Sequence, residues 1–334
     1  MKKLLTIGLL SATFTMTTNA QPKLSADNID EVLQAMTLEE KVQLLVGGGN
    51  DSFVGSGAML GHQKKFVAGA AGTTVEIARL GIPATVLTDG PAGVHIDPIR
   101  ENDTNTYYAT GFPVGTCLAS TWNTELVRQV GEAIGNETLE YGCDVVLGPG
   151  MNIHRNPLCG RNFEYYSEDP YVTGVTATAL VLGVQSKGVG VMVKHFALNN
   201  QETNRFTTDV KVDDRTLYEI YLPAFKAAVE EGGAWAIMGS YNLYDGQWNC
   251  HNDRLLNTIL KGEWGFDGVV ISDWGGVHIT DEAVTNGLDL EFGSWTNGLT
   301  EGMSNAYDSY YLAKPYLDKI KAGEYGEEEL NDKA

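Results

Sequence analysis

Residues 268–274 read Gly-Val-Val-Ile-Ser-Asp-Trp, an apolar run that ends in an acidic and an aromatic side chain. Short runs of aliphatic and β-branched residues are typical of strands that are buried on both faces. The chain contains five further runs of this kind, and each predicts a strand: 84–88, 145–147, 189–193, 234–239 and 288–292. Buried strands spread over most of the chain indicate one large sheet.

The intervals between these runs carry apolar residues at helical spacing. They predict helices at 124–141, 170–186, 214–231, 252–261 and 276–286. Residue types that cap helix N-termini precede four of them: Asn123, Asp169, Asp213 or Asp214, and Asn252. Strands that alternate with helices indicate parallel βα units, arranged as a closed (β/α)8 barrel or as an open doubly wound sheet. Six recognisable strands leave both arrangements open.

The composition is that of a globular protein with a strong acidic excess. Acidic residues number 43 and basic residues 23 among 334, which gives a formal net charge of −20. A nucleic-acid partner is not expected, because phosphate binding needs a basic face. The glycine run 47–49 lacks the strand-then-helix context of a phosphate or dinucleotide loop, so it is interpreted as a turn. No repeat or long linker divides the chain, and one domain is predicted over residues 21–322.

The two ends of the chain carry separate expectations. Residues 1–20 have two lysines, a short apolar stretch and a Thr-Asn-Ala end, which predicts a signal peptide and a periplasmic or extracellular location. That stretch is too short to span a bilayer, and no later segment is long enough without charges. Residues 323–334 begin a new helix-like pattern, which we interpret as the start of a linker to a missing C-terminal domain.

Polar side chains follow the predicted strands at the ends where each strand finishes. Asp89 comes directly after one apolar run and Lys194 with His195 after another, while Ser240, Tyr241 and Asn242 follow the run 234–239. Asp273 with Trp274 follows another, Glu291 lies at the end of the last one, and the loop after 145–147 leads to Arg155 and Arg161. The carboxyl ends of parallel strands share one edge of the sheet, where active sites of such folds lie. We therefore expect these side chains to converge.

The set of side chains fits carbohydrate better than a metal or a cofactor. Carboxylates and charged donors bind sugar hydroxyls, and an indole can stack on the apolar face of a sugar ring. The cysteines and histidines have no metal-ligand spacing, and no cofactor is expected. Glycoside hydrolysis needs one carboxylate at the anomeric carbon and a second carboxyl group that protonates the leaving oxygen. Asp273 is the candidate for the first, because Gly275 and Gly276 after it allow a close approach.

Four motifs resemble those of glycoside hydrolase family 3, in the same order along the chain. They are Thr-Asp-Gly-Pro-Ala-Gly at 88–93, Gly-Arg-Asn-Phe-Glu-Tyr-Tyr-Ser-Glu-Asp-Pro at 160–170, Lys-His-Phe-Ala-Leu-Asn-Asn-Gln-Glu at 194–202 and Gly-Phe-Asp-Gly-Val-Val-Ile-Ser-Asp-Trp at 265–274. The resemblance covers about residues 35–325. It implies a TIM-like (β/α)8 barrel, incomplete or irregular at its first strands, and a retaining mechanism in which Asp273 attacks the anomeric carbon.

The same resemblance implies roles for seven further residues. Asp89 would bind the distal hydroxyls of a non-reducing sugar, while Arg161, Lys194 and His195 would hold ring hydroxyls. Arg205 would orient the surroundings of the nucleophile, and Tyr241 and Trp274 would flank the sugar. A simpler alternative for Arg161 is a surface ion pair with Glu164 or Asp169.

Two features depart from the pattern of the family. The Asp-Gly-Pro motif usually ends in Arg, but His95 stands there. The acid/base of such enzymes is a Glu on a following domain, so it is not expected in this chain. Glu164, Glu202 and Glu291 are candidates by position only, and none is assigned. The resemblance thus favours an exo-acting β-glucosidase that releases terminal glucose, with a β-xylosidase or a non-catalytic periplasmic sugar-binding fragment as alternatives.

Overall fold

The computed structural model describes residues 21–48, 52–54, 60–62, 66–293 and 310–334. The predicted signal peptide, residues 1–20, lies outside these ranges. The strands are β1 (Ser52–Val54), β2 (Leu60–His62), β3 (Gly72–Thr73), β4 (Val86–Asp89), β5 (Val145–Leu147), β6 (Gly190–Phe196), β7 (Asp209–Val210), β8 (Ala236–Gly239), β9 (Leu243–Tyr244), β10 (Gln247–Trp248) and β11 (Val269–Ile271).

Ten α-helices accompany these strands in the described ranges. They are α1 (Ile29–Ala35), α2 (Leu38–Leu44), α3 (Gly115–Ala119), α4 (Thr124–Glu140), α5 (Pro170–Gln185), α6 (Asp214–Thr216), α7 (Pro223–Glu230), α8 (Thr280–Thr285), α9 (Lys314–Lys321) and α10 (Glu328–Lys333). Short 3-10 helices occur at Ala78–Leu80 and Asn249–His251, and π-helices, which have wider turns, occur at Leu217–Tyr221 and Arg254–Glu263. None of these helices has both the length and the apolar character that crossing a membrane requires.

A six-stranded sheet forms most of the barrel wall, in the order β3-β4-β5-β6-β8-β11. Strands β4, β5, β6, β8 and β11 run parallel to one another, whereas β3 is antiparallel to β4. The five parallel strands lie where the apolar runs predicted them. Each is buried on both faces over most of its length, as expected for strands covered by helices on the outside.

Two irregular segments close this sheet into a ring. Leu290 forms a parallel bridge with Ile271, and Glu291 forms one with Val46. The backbone N–H of Gly47 donates to the carbonyl oxygen of Glu291 at 2.9 Å, and that of Gly48 donates to Thr73 of β3 at 2.7 Å. The six strands of the sheet and these two segments make eight wall elements, so the predicted TIM-like barrel with irregular first strands is confirmed.

Two details of the sequence interpretation need correction at this closure. The predicted strand 288–292 is not a regular strand: Leu290 and Glu291 form isolated bridges, and the backbone of Asp289 and Phe292 hydrogen-bonds to Val270 and Gly275. The glycine run 47–49 was interpreted as a turn, but Gly47 and Gly48 pair with both neighbours in the barrel wall. The Cβ of any larger residue at position 47 would clash with the ring of Phe292, so glycine permits the close approach there.

The predicted helices lie where expected, with two interruptions. Asn123, Asp169 and Asp213 cap α4, α5 and α6, and their carboxylate or amide oxygens accept backbone N–H groups. The expected helix 214–231 is divided, because Pro223 has no N–H to continue the ladder and a wider turn at Leu217–Tyr221 precedes it. The expected helix 276–286 is reduced to α8, which leaves residues 275–279 as a loop beside Asp273.

The interior of the barrel holds a compact apolar layer below the carboxyl ends of the strands. It consists of Ala71, Leu87, Leu147, Met192, Ala236, Met238, Ile271, Trp274, Leu290 and Phe292. A larger apolar cluster lies between the wall and the outer helices. In the segment 323–334, interpreted from sequence as the start of a linker, α10 packs on the barrel and Leu330 is fully buried. The barrel is thus solid, and its open end is the carboxyl end.

Candidate active site

A cavity of about 680 Å³ opens at the carboxyl ends of the barrel strands. All eight residues that the sequence analysis assigned to the site line it: Asp89, Arg161, Lys194, His195, Arg205, Tyr241, Asp273 and Trp274. Their alignment follows from the parallel strands, because Asp89 ends β4, Lys194 and His195 lie in the last part of β6, and Asp273 follows β11. The structure therefore brings together every residue of the predicted set.

Asp273 lies in this cavity with one carboxylate oxygen uncommitted. Its Oδ1 accepts the backbone N–H of Trp274 at 2.8 Å. Its Oδ2 is buried and has no hydrogen-bond partner within the described residues. Nε2 of His195 lies 3.7 Å from this oxygen. A buried oxygen of this kind is costly unless a ligand uses it, so it marks a position where chemistry can occur.

Burial and positive charge shift the pKa of Asp273 in opposite directions. Burial raises the pKa of Asp273 above its ordinary value, and the charges of Arg161, Arg205 and Lys194 oppose that rise. Burial and the same three cations hold the pKa of His195 well below its usual range. His195 is therefore neutral near pH 7, and its approach to Asp273 is not an ion pair.

Asp89 and Lys194 form a buried ion pair on one wall of the cavity. Lys194 Nζ lies 3.1 Å from Asp89 Oδ1, which also accepts the backbone N–H of Gly90 at 2.8 Å. Burial on its own would raise the pKa of Asp89, but the charge and hydrogen bond of Lys194 outweigh it and lower the pKa. Both of these contacts use Oδ1, so the second oxygen of Asp89, Oδ2, is suited to accept sugar hydroxyl groups.

The two arginines each pair with a nearby glutamate. Arg161 Nη2 lies 2.5 Å from Glu164, and Arg205 Nη1 lies 2.7 Å from Glu202. The pair of Arg161 with Glu164 that was considered from sequence does form, but it lines the cavity rather than the outer surface. Both glutamates thus face the cavity as ion-pair partners of arginines.

The aromatic residues are fixed by contacts on their outer sides. The hydroxyl of Tyr241 donates to the carbonyl oxygen of Trp274 at 2.8 Å, and the guanidinium of Arg205 lies 4.7 Å from the Tyr241 ring centre. The Trp274 indole stacks on Phe292 at 4.8 Å and donates its N–H to Ala71 at 3.1 Å. Both rings are therefore held rigidly in the cavity wall.

His95 and Glu291, singled out from sequence, lie in different places. His95 lines the cavity, and its Nδ1 lies 3.2 Å from the carbonyl oxygen of Gly69. Glu291 is fully buried, and its carboxylate accepts the backbone N–H groups of Tyr311 and Leu312. Glu291 was a candidate acid by position, but it contacts the backbone of the barrel wall and is not among the residues lining the cavity.

Sequence reasoning missed three residues that hold His195. Asn152 binds both backbone groups of His195, each at 2.9 Å. The hydroxyl of Tyr165 lies 3.3 Å from Nδ1 of His195, and Asn199 Nδ2 donates to that hydroxyl at 3.3 Å. Tyr165 and Asn199 stand inside the motifs that carried the resemblance, which was the available signal. Asn152 gave none.

No group of three or more His, Cys, Asp or Glu residues in the described ranges has the geometry of a metal site. The four cysteines are free: Cys117 is exposed, and Cys143, Cys159 and Cys250 are buried. The titratable groups of the cavity thus include four carboxylates, three cations and two histidines, and Asp273 is the carboxylate that has a buried oxygen without a hydrogen-bond partner in the described part of the chain. Such a set can hold a polyhydroxylated ring and place a carboxylate oxygen against one of its carbons.

Known proteins share both this sequence and this fold. A β-glucosidase of Bacteroides ovatus, BoGH3A, is 48% identical over 313 residues, which are 92% of this chain and 39% of that protein. An exo-α-(1→6)-L-arabinopyranosidase of Bifidobacterium longum is 44% identical over 77% of the chain and 32% of its own length. The structure of β-glucosidase 3B from Thermotoga neapolitana in complex with glucose superposes with a TM-score of 0.82 and 47% identity, over 91% of this chain and 41% of that one.

The chain thus spans about two fifths or less of the length of these relatives. The family profile described as the glycosyl hydrolase family 3 N terminal domain matches residues 29–333, almost the whole of the described structure. The motifs, the barrel and this match agree, and the chain belongs to glycosyl hydrolase family 3.

Proposed function

We propose that this chain is the sugar-binding, nucleophile-bearing barrel of a retaining, exo-acting β-glucosidase. One observation carries the proposal: Oδ2 of Asp273 is buried without a hydrogen bond in a cavity lined by Arg161, Lys194 and Arg205. In the first step Asp273 attacks the anomeric carbon, the glycosidic bond breaks, and a glycosyl-enzyme forms. In the second step water attacks that carbon and releases the carboxylate, so the sugar keeps its β configuration.

The proposed substrate is a terminal β-glucoside. The cavity presents Asp89 as an acceptor, and Lys194 and Arg161 as donors, for the hydroxyl groups of one ring. Trp274 offers a rigid apolar edge beside them. The named activities of the relatives from Bacteroides ovatus and Thermotoga neapolitana, both β-glucosidases, support glucose as the sugar. His95, where the family motif usually has Arg, would change the donor pattern for a hydroxyl at that wall.

The proton donor for the leaving group is proposed to lie in another domain of the same protein. Glu164 and Glu202 face the cavity, but each is held by an arginine. Glu291 is committed to backbone N–H groups. The greater length of the relatives supports a further domain after the barrel, which residues 323–334 would lead into. General acid catalysis contributes about 10²–10⁴-fold, so poor leaving groups depend on that domain most.

Export is proposed on the basis of residues 1–20 alone. Cleavage after Ala20 would leave Gln21 as the first residue of a periplasmic or extracellular protein. Fractionation of cells and N-terminal sequencing of the purified protein test this. A cytoplasmic protein that retains Met1 would contradict it.

The activity is tested with 2,4-dinitrophenyl 2-deoxy-2-fluoro-β-D-glucoside, whose good leaving group needs little protonation. We expect a stable glycosyl adduct on Asp273, located by peptide mass spectrometry, and no adduct in Asp273→Asn. The matched control is Asp267→Asn, which removes an exposed carboxylate next to the start of the same strand and should leave labelling unchanged. An adduct on any other carboxylate would overturn the assignment.

Substrate comparison separates the alternatives. Turnover of aryl β-glucoside above aryl β-xyloside and aryl α-L-arabinopyranoside supports the proposal. The reverse order would favour a xylosidase, or the activity named for the Bifidobacterium longum relative. Binding of glucose without any labelling of Asp273 would favour a non-catalytic sugar-binding fragment.

A further inference from the structure

A hydrogen-bonded series of three polar side chains leads from the protein interior to the cavity. The amide nitrogen of Asn199 lies 3.3 Å from the hydroxyl oxygen of Tyr165, which lies 3.3 Å from Nδ1 of His195. On the other side of the imidazole, Nε2 lies 3.7 Å from the uncommitted oxygen of Asp273. Tyr165 does not line the cavity, so these three side chains approach Asp273 from the protein interior.

The direction of each hydrogen bond follows from donor and acceptor chemistry. The amide nitrogen of Asn199 also lies 3.4 Å from Glu202, whose carboxylate is paired with Arg205 and can only accept. The NH₂ group of Asn199 must therefore face Glu202 and Tyr165, since the opposite orientation would place two oxygens together. With its oxygen accepting from Asn199, the hydroxyl of Tyr165 is left to donate to His195.

We propose that Tyr165 and Asn199 are positioning residues that hold the proton of neutral His195 on Nε2, the ring nitrogen nearest to Asp273. A neutral imidazole has one N–H, so Nδ1 accepts from Tyr165 and Nε2 carries the proton. Burial raises the pKa of Tyr165, so its hydroxyl keeps the proton that it donates. Asn152 fixes the backbone of His195 on both sides, which leaves the tautomer as the remaining variable.

The tautomer of His195 decides whether an N–H group or a nitrogen lone pair faces the carboxylate of Asp273. An Nε2–H pointing at Oδ2 attracts the carboxylate charge, and it can donate to a sugar hydroxyl placed beside the reacting carbon. With the other tautomer, a nitrogen lone pair would face the carboxylate and repel it. The inference rests on the proposed role of Asp273, but it concerns which atom of His195 carries a proton. It can therefore be measured without any turnover.

The test is nitrogen NMR of the protein labelled with ¹⁵N-histidine. The chain has six histidines, and the His195 signals are assigned by their loss in His195→Gln. We expect the wild-type spectrum at pH 7 to show Nε2 protonated and Nδ1 bare. Tyr165→Phe and Asn199→Ala should both populate the other tautomer. The matched control is Tyr166→Phe, which deletes the hydroxyl of the adjacent buried tyrosine and should leave the wild-type tautomer.

Kinetics give a second readout. Tyr165→Phe is expected to lower kcat for an aryl β-glucoside with a good leaving group about fivefold, with a smaller change in KM, the size of one lost hydrogen bond. A wild-type His195 protonated on Nδ1 overturns the inference, and that measurement needs no variant to fold. A Tyr165→Phe spectrum identical to the wild type also overturns it. An adduct on a carboxylate other than Asp273 overturns the proposed function instead, and leaves the His195 tautomer as measured.

Discussion

Replacing Glu291 with glutamine tests how the barrel is held closed. Glu291 is fully buried, and its backbone pairs with Leu45 and Gly47 in the ring. Its two carboxylate oxygens accept separate backbone N–H groups, that of Tyr311 at 3.1 Å and that of Leu312 at 2.7 Å. Glutamine has nearly the same size, but one of its two terminal atoms is an NH₂ group. One of the two backbone donors would then face another donor.

The magnitude follows from the bond that is lost. A hydrogen bond to a charged group contributes about 1.5–3 kcal/mol, and a buried N–H left unpaired costs about 1–3 kcal/mol. These two ranges describe overlapping effects, and the remaining bond also weakens when the acceptor becomes neutral. We expect Glu291→Gln to lower the free energy of unfolding by about 3 kcal/mol.

Urea unfolding at pH 7, followed by tryptophan fluorescence, measures this change. Glu101→Gln is the control, since Glu101 is exposed and should stay within about 0.5 kcal/mol of the wild type. The fluoroglucoside should still label Asp273 in folded Glu291→Gln, because Glu291 is not among the residues that line the cavity. Unchanged stability, or intact stability with lost labelling, would refute the reasoning.

Three further predictions concern the cavity and the outer helices. Lys194→Met leaves Asp89 buried without its cation, and should lower the free energy of unfolding by about 3 kcal/mol in urea; a change below about 1 kcal/mol would show that water replaces the ion pair. The acid limb of kcat/KM should lie above the ordinary pKa of an aspartate, because burial raises the pKa of Asp273 and the proposed nucleophile attacks only in its ionised form. Because the charge of Arg205 lowers the pKa of Asp273, a pH–rate profile of Arg205→Met should show that limb at still higher pH. A shift to lower pH would contradict this effect of Arg205. Gly183→Ala should lower the free energy of unfolding by about 2 kcal/mol in the same urea assay, since the new Cβ would overlap the carbonyl oxygen of Arg128 where α5 packs on α4. Wild-type stability would show that the two helices can move apart to accept the methyl group.

The parallel strands could be predicted because their burial is visible in the sequence as runs of apolar side chains. Buried runs such as 145–147 and 234–239 are apolar on both faces, and the polar residues after them meet in one cavity. The first wall elements could not be found in this way. Residues 45–48 and β3 are short and glycine-rich, and they are held by backbone hydrogen bonds that leave no periodic signal.

In the site, too, some residues could be predicted from the local sequence and others could not. Asp273 and Asp89 were found because they end strands, whereas Glu291 also ends an apolar run and yet binds the backbone of the wall. Position after a strand does not specify which side of the barrel a carboxylate faces. The contact of Tyr165 with His195 joins residues thirty positions apart, and no local pattern encodes a bond of that range.

The closing pair of the ring joins Val46 near the start of the domain to Glu291 near its end. During synthesis at about 5–20 residues per second, the second partner emerges roughly 240 residues, or about 12–50 seconds, after the first. During that interval the strands already made cannot close into a ring, so any sheet that they form has two unpaired edges, which can pair with other chains. The ring therefore cannot close before Glu291 has been synthesised, and the carboxylate of Glu291 gains its two backbone partners, Tyr311 and Leu312, only later still.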